Sequence, residues 1–117
     1  MHTFLRSLSL IFLVSSCISC SSSVEQTNLF FANAVVDEEV MGKFARSCAL
    51  CHVSGVADAP IVGDIEEWRS RLGQGEAIII RNVLEGINSM PPLGYCMSCE
   101  VDDFRAMIGF MAGTNSQ

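Results

Sequence analysis

Five consecutive residues, Cys48-Ala49-Leu50-Cys51-His52, constrain this chain more than any other stretch. Cys-x-x-Cys-His is the pattern of c-type haem attachment, in which two thiols add to the haem vinyl groups and the adjoining imidazole becomes the proximal iron ligand. The spacing has a physical basis. Two intervening residues put both sulfurs along one porphyrin edge on a single helical turn, and a histidine directly after the second thiol falls beneath the iron. The pattern predicts one covalent haem c on Cys48 and Cys51 with His52 on the metal. The other histidine, His2, lies in the leader described below, so the mature chain has a single candidate imidazole.

Two other chemistries use such thiols. A thioredoxin-like pair needs a strand–turn–helix setting, and a haem-free zinc module would need Cys96 and Cys99 to complete the ligand set. Before Cys48, however, Val36, Val40, Met41 and Phe44 recur at helical spacing with no buried strand in front of the pair. The 44 residues between Cys51 and Cys96 are also more than a zinc ribbon spans.

The start of the chain points to export. Arg6 supplies a positive n-region, and Leu8, Leu10, Ile11, Phe12, Leu13 and Val14 form an apolar stretch of signal-peptide length, too short for a stable bilayer anchor. Residues 1–16 read as a signal peptide, which places the mature protein in the periplasm, where haem attachment takes place and paired thiols persist. Val14-Ser15-Ser16 before Cys17 resembles a lipoprotein box and predicts a lipidated Cys17 with a membrane tether. The alternative is an ordinary signal peptide cut between Ser16 and Ser23, with Cys17 discarded. Residues 17–35, serine-rich and then apolar at Leu29, Phe30 and Phe31, read as a flexible tether whose end docks on the fold or on the membrane. Cys20 has no assigned role.

Residues 36–117 remain for one small domain, about 80 residues, marginal for a core of side chains alone. A covalent haem supplies the missing apolar mass. Loss of Arg6 leaves six basic against 13 acidic residues, which argues against nucleic acid and for partners with a basic docking surface.

No convincing strand alternation occurs, and four helices can be placed. The first is N-capped by Asp37, with Val36 and Met41 as a hydrophobic staple, and runs into the haem motif. A second opens at Asp64 with a capping box to Glu67 and stops at Gly73. Ile80, Val83, Leu84 and Ile87 carry the face of the third, which closes near Gly86. The last spans about Asp102 to Ala112, with Asp102 and Asp103 favourable to its dipole and Val101, Phe104, Ile108 and Met111 on one stripe.

A carrier haem needs a sixth ligand, usually a thioether on a rigid loop. Met41, Met107 and Met111 sit at helical core spacing, where methionine is gap filler, and Met97 is pinned between Cys96 and Cys99. Met90 stands before Pro91 and Pro92, on a proline-stiffened segment that cannot continue a helix, and is the candidate.

With Cys48-x-x-Cys51-His52 go Ala59-Pro60, Gly63-Asp64, Trp68 with Arg71 and Gly73, Met90-Pro91 with Gly94, and Cys96-x-x-Cys99 before an acidic helix. In this combination the chain resembles class I cytochrome c of the cytochrome c5 type, from about residue 36 to 113. The resemblance implies an all-α fold of about four helices around one haem, with His52 and Met90 as axial ligands and a Cys96–Cys99 disulfide. It also implies that the Pro60 carbonyl accepts from the His52 ring and that Trp68 and Arg71 lie near the haem propionates, although a core tryptophan beside a solvated arginine fits the same pair. Relatives usually carry glycine where Val40 stands, and here the glycine is Gly42, so the packing of Phe44 against Phe110 is expected to differ in detail. The function so implied is single-electron transfer between respiratory partners, without catalysis at the iron. If Met90 did not ligate, the alternative would be a five-coordinate haem that binds a small gas or peroxide.

Overall fold

The computed structural model describes residues 31–114, and the leader with Cys17 and Cys20 lies outside them. Helices and turns account for the described residues, and the only bridge among them is an isolated pair, Ile87 with Met90. Among the described residues five complete α-helices follow in order: α1 Glu38–Arg46, α2 Ala49–His52, α3 Ile65–Leu72, α4 Glu76–Glu85 and α5 Val101–Met111. Short 3-10 turns fill Val56–Asp58 and Pro92–Tyr95. No described helix is long and apolar enough to cross a membrane.

α1, α3 and α5 begin where a local carboxylate takes up a free backbone amide. Asp37 accepts from the Val40 amide at 2.9 Å and opens α1, and Val36 and Met41 pack partly buried against the core. Ser47 then breaks the run. Its hydroxyl donates to the Lys43 carbonyl at 2.7 Å while its backbone leaves helical values. The haem motif is therefore a separate short helix, not the continuation of α1 that its sequence suggested. Asp64 caps α3 through the Glu67 amide at 3.1 Å, but only half of the expected box forms, because the Asp64 amide donates to the Ile61 carbonyl instead. The reciprocal contact appears on α5, where the Glu100 amide donates to Asp103 at 2.8 Å, so that helix starts a residue earlier than expected.

The core is built around α5. Phe104, Ala106, Met107, Ile108, Gly109 and Met111 are all buried, on more than one stripe, because α1 covers one side of this helix while Ile108 and Met111 line a cavity on another. Val40 packs into this core, and Phe44 meets Phe110 edge-on with ring centroids 5.2 Å apart. A buried valine at the first helix contact is therefore accommodated. Gly42 instead faces outward beneath the Arg46 guanidinium. The face of α4 differs from expectation: Ile79, Ile80 and Val83 are buried and Leu84 is exposed, while Ile87 lies beyond the helix end, since Gly86 at φ 83° stops it. Phe31 is fully buried in the same core, so the apolar end of the expected tether packs on the fold.

Candidate haem site

α2 presents Cys48 and Cys51 on one turn, with the His52 amide bonded to the Cys48 carbonyl at 2.9 Å. Cys48 is buried and Cys51 half-buried. Burial pushes the Cys48 thiol up, a contact with Ser47 only partly offsetting it. Both sulfurs line an open-sided cavity of about 590 Å³, within the size range of cofactor sites.

His52 is buried, and its Nδ1 lies 2.8 Å from the Pro60 carbonyl. A carbonyl can only accept, so Nδ1 carries the proton and Nε2 keeps its lone pair for a metal. The loop that brings Pro60 there is itself fastened to the ligand residue. The Val62 amide donates to the His52 carbonyl at 2.9 Å and the Gly63 amide to Met111 at 2.8 Å, so ring orientation is set by a loop tied to both α2 and α5.

Met90 reaches the same cavity from a loop after α4. Ile87 and Met90 exchange backbone hydrogen bonds of 3.1 and 2.9 Å around Asn88 and Ser89, with Asn88 in the left-handed region. Beyond Pro91 and Pro92, Leu93, Gly94 and Tyr95 also have positive φ, an uncommon run for two residues with side chains. The disulfide between Cys96 and Cys99, Cα atoms 5.4 Å apart, closes this stretch. Bonded to one another, these two cysteines do not complete a set with Cys48 and Cys51, and no cluster of metal-binding His, Cys, Asp or Glu side chains forms among the described residues.

Trp68 and Arg71 both line the cavity from α3. The Trp68 ring is buried, lies 5.8 Å from the His52 ring, and donates its indole N–H to the Ile61 carbonyl at 2.8 Å. It is a wall whose one donor is already used. Arg71 donates to the Glu67 carbonyl at 2.9 Å and stays half-exposed beside Ser70 and Gln74, which leaves guanidinium donors for an anionic group at the cavity edge. Val83 and Ile87, expected on the apolar face of this segment, both line the cavity, whereas sequence reasoning missed the wall from Ile79 and the polar side chain of Asn82. Ile79 adjoins the expected stripe at Ile80, so the buried face of α4 is wider than its spacing suggested on that side.

The residues present fit a haem: two thiols, an imidazole whose other ring nitrogen is engaged by Pro60, a thioether, apolar walls and a polar edge converge on one cavity. An all-helical shell holding that set defines a c-type cytochrome. Residues 37–111 match a family model described as cytochrome c oxidase, cbb3-type, subunit III. The chain is 38% identical over 71 residues to cytochrome c5 of Azotobacter vinelandii, covering 59% of this chain and 86% of that protein. To cytochrome c5 of Ectopseudomonas mendocina it is again 38% identical over 71 residues, 59% of this chain and 82% of that one. A solved structure, described as the electron transfer complex of nitrite reductase with cytochrome c, superposes with a TM-score of 0.59 at 32% identity, over 70% of this chain and 100% of the other. The chain belongs to the class I c-type cytochromes, is similar to cytochrome c5, and carries one covalent haem c as an electron carrier.

Proposed function

We propose that this cytochrome passes single electrons between partners of a bacterial respiratory chain, on the periplasmic side, with His52 and Met90 as its axial ligands. The observation that carries the reading is that His52 and Met90 line the same cavity as Cys48 and Cys51. The haem supplies the one-electron iron couple. The chain's own residues do the rest. Pro60 fixes the imidazole and strengthens it as a donor, Met90 favours the ferrous state, and Trp68, Ile79, Val83 and Ile108 keep water from the iron. Arg71 neutralises a propionate at the edge. With His52 and Met90 both holding the iron, no site on it would be left for a substrate, and the protein would serve as a carrier and not an enzyme.

Partner choice follows from the surface. Glu38, Glu39, Glu100 and Asp102 are exposed around the Lys43–Asp103 bridge that joins α1 to α5; Lys43 and Arg105 pair with Glu39 and Asp102, and the face stays net acidic, suited to a basic surface on a respiratory reductase or oxidase. Leu50, Val53 and Val56 are exposed beside Cys51, an apolar zone for close approach to the haem edge. Lipidation of Cys17 would hold the domain near membrane partners, and residues 1–16 would be removed. Mass spectrometry of the membrane-extracted protein checks this through acyl mass on Cys17 that is absent in Cys17→Ser.

The ligation is tested by optical spectra. The ferric protein should show the weak near-infrared band of iron–thioether coordination, and the ferrous protein should bind carbon monoxide poorly. Rapid carbon monoxide binding by the untreated protein would mean that the sixth position is open.

A further inference from the structure

We propose that Gly86 is the positioning residue for Met90: by having no side chain it lets the ligand loop lie directly on the end of α4. This rests on the reading of Met90 as the sixth ligand and adds what places it. A Cβ on Gly86 would lie 2.7 Å from the Met90 carbonyl oxygen, 3.0 Å from the Pro92 nitrogen and 3.2 Å from the Pro91 carbonyl carbon. All three are backbone atoms of the ligand loop, so relief requires the loop itself to move. A neighbouring side chain could instead have changed rotamer at little cost.

The loop has little freedom to absorb such a push except by moving Met90. On one side of Met90, two hydrogen bonds lock its backbone to Ile87, the residue after Gly86. On the other side, Pro91 and Pro92 have fixed φ, and Leu93, Gly94 and Tyr95 occupy the left-handed region. Past these, Cys96 is buried and cross-linked. The Met90 methyl carbon and the Cys48 sulfur both pack near Gly94, at 3.4 and 3.7 Å from where its Cβ would be, so the thioether is also confined from that direction. Displacement therefore changes where Met90 sits in the cavity.

Gly86 also has φ 83°, which alone makes a side chain there unfavourable. Gly75, at the other end of α4, separates the two effects: its φ is 90°, yet nothing lies within 4 Å of its Cβ position. Gly75→Ala carries the conformational strain without the close approach. Gly86→Asn puts a larger side chain at the same close approach, and Gly75, at φ 90° and ψ 151° against 83° and 159° for Gly86, controls for the backbone strain that both variants carry.

The test compares holoprotein of the parent, Gly75→Ala, Gly86→Ala, Gly86→Asn and Met90→Ala. Ferric near-infrared absorption and imidazole titration are the readouts. Both Gly86 variants should keep covalent haem, lose most of the thioether band and bind imidazole at least about tenfold more tightly, while Gly75→Ala melts earlier with parental ligation. Parental band and affinity in both Gly86 variants would overturn the proposal. So would failure of both to yield holoprotein where Gly75→Ala does, because Gly86 would then be a folding residue. A parent without the band, or a Met90→Ala variant that keeps it, would instead overturn the Met90 reading on which this rests.

Discussion

Cys48, Cys51 and His52 occupy one helical turn, and the carbonyl that orients His52 comes from Pro60, eight residues away. Met90 stands on a loop whose shape depends on Gly86, on a run of left-handed residues and on a disulfide, and it meets residues more than thirty positions earlier in the chain. The attachment side is contiguous in sequence, its chemistry set within one turn, with the Gly63–Met111 hydrogen bond tying its loop to α5. The Met90 side is held by the fold. Damage to the first should remove the haem altogether, whereas damage to the second should leave a haem protein with altered ligation.

The largest effect is expected from the attachment side. Cys48→Ser with Cys51→Ser should abolish covalent haem, read as loss of haem staining on a denaturing gel. Without its cofactor the open-sided cavity of about 590 Å³ leaves its apolar walls to water, in a domain of about 80 residues that is marginal for a core of side chains alone. The haem-free chain should therefore lose its near-ultraviolet circular dichroism as well. A haem-free variant with native tertiary signals would break the comparison, since both sides would then stand on side-chain packing alone.

Met90→Ala is next. Covalent haem should remain, the iron should accept imidazole and carbon monoxide, and the reduction potential should fall by on the order of 0.1–0.3 V, part of the roughly 0.8 V range that axial ligands command. Potentiometric titration followed optically measures it. An unchanged potential would mean that Met90 is filler.

Removal of the disulfide should act more gently. It closes only a short loop, so Cys96→Ser with Cys99→Ser should cost about 2 kcal/mol by chain entropy, roughly 10 °C in melting temperature for a domain this small. Haem content should be parental, with a weaker thioether band because the Met90 loop loses its clamp. If instead ligation were parental and only stability fell, the prolines and Gly86 alone would be holding the loop.

The smallest effect probes a contact outside both ligand regions. Burial alone would push the Asp103 carboxyl up, but the Glu100 amide and Lys43 hold it below its ordinary value. A depressed folded-state value stabilises above the unfolded one and is lost as pH falls through it. Asp103→Ala should therefore cost about 1 kcal/mol at pH 7, the usual worth of a carboxylate that accepts a backbone amide in the first turn of a helix. The gap to the parent should narrow below about pH 4, where ordinary carboxylates protonate, while the haem spectrum stays parental throughout.

What was legible in the sequence was whatever depends on neighbours along the chain. The haem motif, the Asp37 and Asp64 caps, the stop at Gly86 and the all-helical class follow from spacings of a few residues, and the structure contains each of them. Family resemblance extended this to a His52–Pro60 contact and a Cys96–Cys99 pair, both present. The places where the reading slipped depend on packing across the fold. Whether Ile79 or Leu84 faced inward depended on where α4 met the cavity, and the docking of Phe31, which the sequence left open between fold and membrane, depended on an apolar surface made by distant residues. Trp68 was legible as a residue of the site, but its donor turned out to be bound to Ile61, a contact made only after the loop folds back on α3. The sequence by itself determined which groups can hold a haem, because attachment chemistry is local. Tertiary structure decided how Met90 meets that site, because its position is the joint result of a bare glycine, a left-handed loop and a cross-link brought together by packing.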